Sequence, residues 1–248
     1  MELTKPSELF EGQRTFVGMI TPSGNTVVER ITLGIMRHFP AVSTHFSRTP
    51  VFGDKDPHPA DYDWDGMLEA ARLLSHADLS VITWNGSKGA NVGLDFDRKL
   101  VARVEELTGA KSTTSMLAID ELFREDGVAT YALVSPYKSK YAAGVANTLT
   151  REGYECIENV AAGLADNNSF ASISLDTVAE MMRTAARARP RAILSCCTNF
   201  PGAALVAEIE RETGIPIYDT TSIAVWKTLV LAGIDTKPGR DWGSVFTR

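Results

Sequence analysis

Short apolar runs alternate with longer amphipathic stretches along the chain. Arg14 to Ile20 is a strand-like run that ends at Thr21-Pro22-Ser23-Gly24-Asn25-Thr26. A helical spacing of apolar positions follows from Val27 to Phe39, and a second strand is expected over Val42 to Thr49. Val51 to Asp65, rich in Pro, Asp and His, reads as a loop leading into a helix around Met67 to Ser75. Leu79 to Thr83 reads as a short buried strand, Trp84-Asn85-Gly86-Ser87-Lys88-Gly89 as a loop, and Leu94 to Leu107 as a helix. The pattern then returns. Strands are expected at Thr130 to Val134, Tyr154 to Val160, Ala192 to Ser195 and Ile215 to Tyr218. Helices are expected up to Arg151, over Leu175 to Ala188, from Pro201 to Glu212 and from Ile223 to Ala232, with Ala161 to Ser172 as a loop. Strand, loop and helix in alternation predict an α/β fold with parallel sheets covered on both faces.

The return of the pattern is specific. Glu105-Glu106-Leu107-Thr108-Gly109 leads to Thr113-Thr114-Ser115, and Glu210-Arg211-Glu212-Thr213-Gly214 leads to Thr220-Thr221-Ser222, 107 residues later. Asn85 and Cys197 each follow the third strand of their half, 112 residues apart. These offsets predict two pseudosymmetric lobes, residues 1–125 and 126–248, with the last helix of the chain able to pack back on the first lobe. Each lobe is expected to be a short, mainly parallel sheet flanked by helices. Ligands of open α/β sheets bind beyond the carboxyl ends of the strands. Four loops would then meet in a cleft between the lobes: Thr21–Thr26, Trp84–Gly89, Ser135–Lys138 and Cys196–Phe200.

Composition narrows the function. Of 248 residues, 25 are Lys or Arg and 31 are Asp or Glu, a formal charge of −6, which disfavours nucleic acid as a partner. No apolar run approaches the roughly 20 residues of a membrane span, so no membrane partner is expected. Met1 to Gln13 does not read as a secretory leader. Three cysteines, two of them adjacent, make no disulfide framework and suit a reducing cytoplasm.

Cys197 is the leading candidate for chemistry. It sits at a strand end shortly before an expected helix, whose amides and dipole are expected to lower its pKa and make it reactive near neutral pH. Cys196 points the other way by strand alternation, and Cys156 lies within a strand. Cys196 and Cys197 also fit the description of small buried apolar residues. The cysteines and His38, His45, His58 and His76 lack zinc-ligand spacing, so no metal is expected. Gly86-Ser87-Lys88-Gly89 lacks the spacing of a phosphate-binding loop but suits a small anion nest, as does Ser23-Gly24-Asn25-Thr26; ordinary helix capping explains either equally well.

These motifs resemble a known family. Thr21-Pro22-Ser23-Gly24-Asn25-Thr26 is similar to the opening of maleate cis–trans isomerases, as are Ser135-Pro136-Tyr137, Asp166-Asn167 and Cys197-Thr198-Asn199 to their later motifs. Those isomerases group with arylmalonate decarboxylase and the aspartate and glutamate racemases. The resemblance implies a cofactor-independent homo-oligomeric enzyme whose small carboxylate substrate lies between two loops. Carried over, Cys197 takes the second cysteine position and Asn85 the first, where an amide cannot exchange protons at neutral pH. The substrate-binding residues implied are Asn25, Gly86, Ser87, Tyr137, Asn167, Thr198 and Asn199. Maleate-type isomerisation leads the readings. Decarboxylation with Cys197 as proton donor, amide or cyclic imide hydrolysis, and non-catalytic binding of a small acid follow.

Overall fold

Four-residue strands with every residue buried, such as Val81–Trp84 and Ala192–Ser195, can form only where helices cover both sheet faces. The computed structural model describes residues 14–52 and 58–248 and has that arrangement. Met1–Gln13 and part of the expected 51–65 loop lie outside the described residues. The first half runs β1 (Thr15–Pro22), α1 (Val28–Met36), β2 (Val42–Thr49), α2 (Trp64–Ser75), β3 (Val81–Trp84), α3 (Gly89–Val92), α4 (Leu94–Thr108), β4 (Lys111–Thr114) and α5 (Ser115–Glu125). The second runs β5 (Thr130–Tyr137), α6 (Ser139–Arg151), β6 (Glu155–Leu164), α7 (Asn167–Ser172), α8 (Leu175–Arg187), β7 (Ala192–Ser195), α9 (Val206–Thr213), β8 (Ile217–Asp219) and α10 (Thr220–Leu231). The two four-stranded sheets have the orders β2-β1-β3-β4 and β6-β5-β7-β8, with all pairings parallel. No helix among the described residues is long and apolar enough to cross a membrane.

The sequence repeat has a structural counterpart. Glu105 accepts from Ser112 N at 2.9 Å, and Glu210 accepts from Ile217 N at 2.9 Å. Thr108 and Thr213 each bond the carbonyl four residues back at 2.7 Å and accept an amide two residues on. Gly109 and Gly214 then end α4 and α9 with φ of 71° and 69°, a left-handed turn that glycine adopts without strain. The Thr-Thr-Ser runs are a poorer guide. Thr114 caps α5 but Asp219 caps α10, so equivalent caps lie 105 residues apart rather than 107.

Several expected elements differ. β4 and α5 are absent from the sequence reading, because Lys111-Ser112-Thr113-Thr114 carries no apolar alternation; pairing with β3 makes it a strand. Ala161 to Ser172 is not one loop. β6 runs on to Leu164 past a register shift, and Asp166 starts α7 by accepting from the Asn168 and Ser169 amides, both at 3.1 Å. The helix expected from Pro201 begins as a 3₁₀ turn, Pro201–Leu205, and becomes α-helical only at Val206.

One apolar core runs through both sheets, with a smaller cluster under α2 and α4. Each half lends a helix to the other. α10 packs on α1, α5 and the strands β3 and β4 of the first half. Thr228 meets Thr83 there at 2.7 Å, Lys111 bonds the Leu231 carbonyl at 2.9 Å, and Lys227 pairs with Glu121. In return, Phe123 of α5 enters a ring cluster with Tyr131, Tyr154 and Tyr218 of the second half. This exchange fixes the two sheets relative to each other, and their strand ends face one cleft.

Candidate active site

The cleft is a cavity of about 530 Å³. All four loops expected to meet there do so: Pro22 and Asn25 from the first, Trp84, Ser87 and Lys88 from the second, Tyr137 and Lys138 from the third, Cys197, Thr198 and Asn199 from the fourth. The β6–α7 connection adds Leu164, Ala165 and Asn167.

Hydrogen bonds tie these loops across the cleft. Asn25 donates from Nδ2 to Thr198 Oγ1 at 3.0 Å. Its Oδ1 accepts from the Val27 and Val28 amides at 2.9 and 2.8 Å, so helix capping, rather than an open anion nest, uses that end of the loop. Asn199 accepts from Thr26 N at 2.9 Å and donates to the Asn167 carbonyl at 2.6 Å. Asn167 donates in turn to the Gly24 carbonyl. Arg48, paired with Glu29 at 2.8 Å, holds the Ser23 carbonyl at 2.9 Å. Residues 143 and 173 apart in sequence are thereby locked together before any ligand arrives, the preorganisation a reaction site needs.

Cys197 lines the cavity while only 5% exposed, whereas Cys196 is fully buried and does not line it. The backbone at Cys197 has φ of 156°, in a region L-residues seldom occupy; such strain concentrates at working residues. The expectation of a lowered pKa is overturned. Burial pushes the thiol up to about 11, outweighing the Tyr137 hydroxyl and the Asn199 amide that favour the thiolate. The helix expected to oppose that burial starts late: Pro201–Leu205 is a 3₁₀ turn, and α9 begins nine residues downstream. Burial therefore favours the protonated thiol of Cys197.

Tyr137 joins the halves, with its hydroxyl 3.3 Å from Ser87 Oγ. Because that hydroxyl also favours the Cys197 thiolate, Tyr137→Phe is expected to raise the thiol pKa further and slow its alkylation by iodoacetamide at pH 9 several-fold. An unchanged rate in the folded variant rejects the contact.

Asn85 and Gly86 do not line the cavity. The Asn85 carboxamide is fully buried and turned to Thr32 Oγ1 at 3.4 Å and Ser115 Oγ at 3.5 Å. Gly86 lies under the Trp84 ring, where a β-carbon would come within 2.2 Å of it. Among the described residues, no group of three His, Cys, Asp or Glu side chains is placed to hold a metal. Missing from the sequence reading are Tyr141, Phe170 and Lys140, which with Lys138 make an aromatic and cationic wall. The Tyr141 ring lies 4.5 Å from that of Tyr137, tilted by 49°, and Phe170 meets Tyr137 edge-on at 5.5 Å. The spacing Tyr137-Lys138-Ser139-Lys140-Tyr141 at the start of a helix was the available signal, whereas Phe170 carried none.

Comparison with known proteins fits this geometry. A family model described as arylmalonate decarboxylase matches residues 55–244, more than half of the chain. An arylmalonate decarboxylase of Bordetella bronchiseptica is 23% identical over 233 residues, 93% of this chain and 95% of the relative. A maleate isomerase of Nocardia farcinica is 27% identical over 225 residues, covering 86% and 88%. A Nocardia farcinica maleate cis–trans isomerase, a cysteine-to-serine mutant with a covalently bound succinylcysteine intermediate, has the same fold at a TM-score of 0.82 and 23% identity, over 95% of this chain and 98% of that one. The maleate isomerase Iso of Pseudomonas putida S16 superposes with a TM-score of 0.85 at 21% identity, covering 94% and 98%.

Proposed function

Because the chain belongs to the arylmalonate decarboxylase family, we propose that it is an enzyme that removes carbon dioxide from a malonate-type acid, with the Cys197 thiol as proton donor. One observation carries the choice among the family's reactions. The cavity lining holds a single thiol, Cys197, and Asn85, at the position the resemblance gives to a first cysteine, is a non-ionisable amide turned away from the cavity.

In this reading the substrate carboxylate that stays is held by donors: the Asn25 carboxamide, the Thr198 hydroxyl, and the Ser87 and Tyr137 hydroxyls that span the cleft. Loss of carbon dioxide leaves an electron pair on the α-carbon, delocalised into that carboxylate as an enediolate. The same donors stabilise the growing oxyanion charge. Cys197 gives its S–H proton to the carbon. The Tyr137 hydroxyl and Asn199 amide stabilise the thiolate until solvent reprotonates it. A protonated thiol suits this step, since a general acid must carry its proton at the start. The Trp84, Tyr137, Tyr141 and Phe170 rings offer an apolar berth for a substituent on the α-carbon. With one proton source on one face, the product acid is a single enantiomer.

Maleate-type isomerisation is the second reading, supported by the Asn25 opening and by the succinylcysteine in the Nocardia farcinica structure. It needs Cys197 as a thiolate nucleophile, which burial disfavours here. Proton NMR in deuterated buffer separates the two. Phenylmalonate is expected to give singly α-deuterated phenylacetate. Fumarate from maleate, with phenylmalonate untouched, rejects decarboxylation in favour of isomerisation.

A further inference from the structure

Asp97, on α4, is a fully buried carboxyl that the chemistry at Cys197 leaves unused. Its Oδ1 accepts from the Tyr62 hydroxyl at 2.5 Å, and the Tyr62 hydroxyl oxygen accepts from Trp84 Nε1 at 3.2 Å. The Trp84 ring in turn covers Gly86 and lines the cavity. Its Oδ2 is buried without a hydrogen-bond partner and lies against Gly89, where a β-carbon would fall 2.1 Å from it. One carboxyl therefore reaches the Trp84 end of the Trp84–Gly89 loop through Tyr62 and packs directly against its Gly89 end. Between those ends sits Ser87, which meets Tyr137 across the cleft at 3.3 Å.

Among the described residues no cation is ion-paired with Asp97, and the charge of Arg98 only partly offsets its burial. The adjacent Arg98 pairs with Asp95 at 2.8 Å and Glu152 at 2.7 Å, while Lys88 donates to the His58 carbonyl. Burial outweighs the Tyr62 and Thr114 hydroxyls beside the carboxyl and raises it to about 7. A buried carboxyl with no ion-pair partner among the described residues costs stability.

We propose that Asp97 is a positioning residue: it clamps both ends of the Trp84–Gly89 loop and so sets where Ser87 meets a substrate carboxylate. The second half of that statement rests on the carboxylate-site reading of the cleft; the clamp itself does not. A neutral acceptor of the same shape would serve equally well, so Asp97→Asn restores what Asp97→Ala loses. Tyr62→Phe breaks one arm of the clamp while filling the same space.

The test uses the full-length chain and two readouts. The first is hydrogen exchange of loop amides followed by mass spectrometry. Tyr62→Phe and Asp97→Ala are expected to speed exchange over residues 85–92 about tenfold, the scale of one lost hydrogen bond, with second-half peptides unchanged and Asp97→Asn like wild type. Unchanged loop exchange in both variants overturns the clamp whatever the enzyme does. The second readout is alkylation of Cys197 at pH 9 by iodoacetate against iodoacetamide, with free cysteine as reference. Wild type is expected to favour the carboxylate reagent, and the two loosened variants to lose that preference. A loosened loop that keeps the preference overturns the role in substrate positioning. A wild type with no preference overturns the carboxylate reading, and the exchange data then decide the clamp alone.

Discussion

Replacing Cys197 by serine is expected to cut turnover of a malonate-type substrate by about 10²- to 10⁴-fold, the range over which a positioned general acid contributes. The substitution is nearly isosteric, a hydroxyl in place of the thiol, and the side-chain bonds of Asn25 and Asn199 do not involve the sulfur. Loss of activity without loss of fold is thus the expected pairing, checked by turnover alongside thermal unfolding. Cys156→Ala serves as the control, since that thiol lies on β6 away from the cavity lining. Equal turnover in the two variants overturns the assignment. The pH dependence has a definite sign. With the thiol raised to about 11, the reactive thiolate is scarce at neutral pH, and alkylation by iodoacetamide climbs about tenfold per pH unit up to pH ~10. A plateau near pH 8 would mean that burial does not control this sulfur.

Phe123→Ala is expected to destabilise the fold by about 3–5 kcal/mol, the usual range for removing a buried aromatic ring. Phe123 is fully buried, and its ring lies 5.7, 5.1 and 5.2 Å from those of Tyr131, Tyr154 and Tyr218. Those tyrosines belong to β5, the turn before β6, and β8, while Phe123 itself belongs to α5. The ring therefore joins a helix of the first half to the second sheet. For a chain of this size the loss corresponds to a fall in melting temperature of roughly 6–20 °C. The comparison is with Leu107→Ala on exposed α4 surface, expected to change stability by under about 1 kcal/mol. A Phe123→Ala loss as small as that would mean the two sheets are held together mainly elsewhere, for instance through α10.

Two kinds of information separate here. The alternation of strands and helices was legible because it is local: Val81–Trp84 and Ala192–Ser195 are apolar runs whatever lies around them. The motif shared by residues 105–109 and 210–214 was legible for the same reason, since its bonds close within seven residues. Strand ends followed by polar loops also pointed to Cys197, Tyr137 and Asn25 as cleft residues. β4 was not legible, because only its pairing with β3 makes Lys111–Thr114 a strand.

The electrostatics of the site were decided by the tertiary structure alone. Whether Cys197 is a thiol or a thiolate depends on how much water reaches it, and that is set by the rings and loops of both halves. Whether Asn85 faces a substrate or the interior depends on Thr32 and Ser115, 53 and 30 residues away. The carboxamide of Asn25 finds Thr198 only when the strand-end loops of the two sheets meet at one cleft. Sequence pattern determines local periodicity and turn chemistry, because these act within a few residues. Desolvation and cross-cleft hydrogen bonding act through space, between residues that only the folded chain brings together.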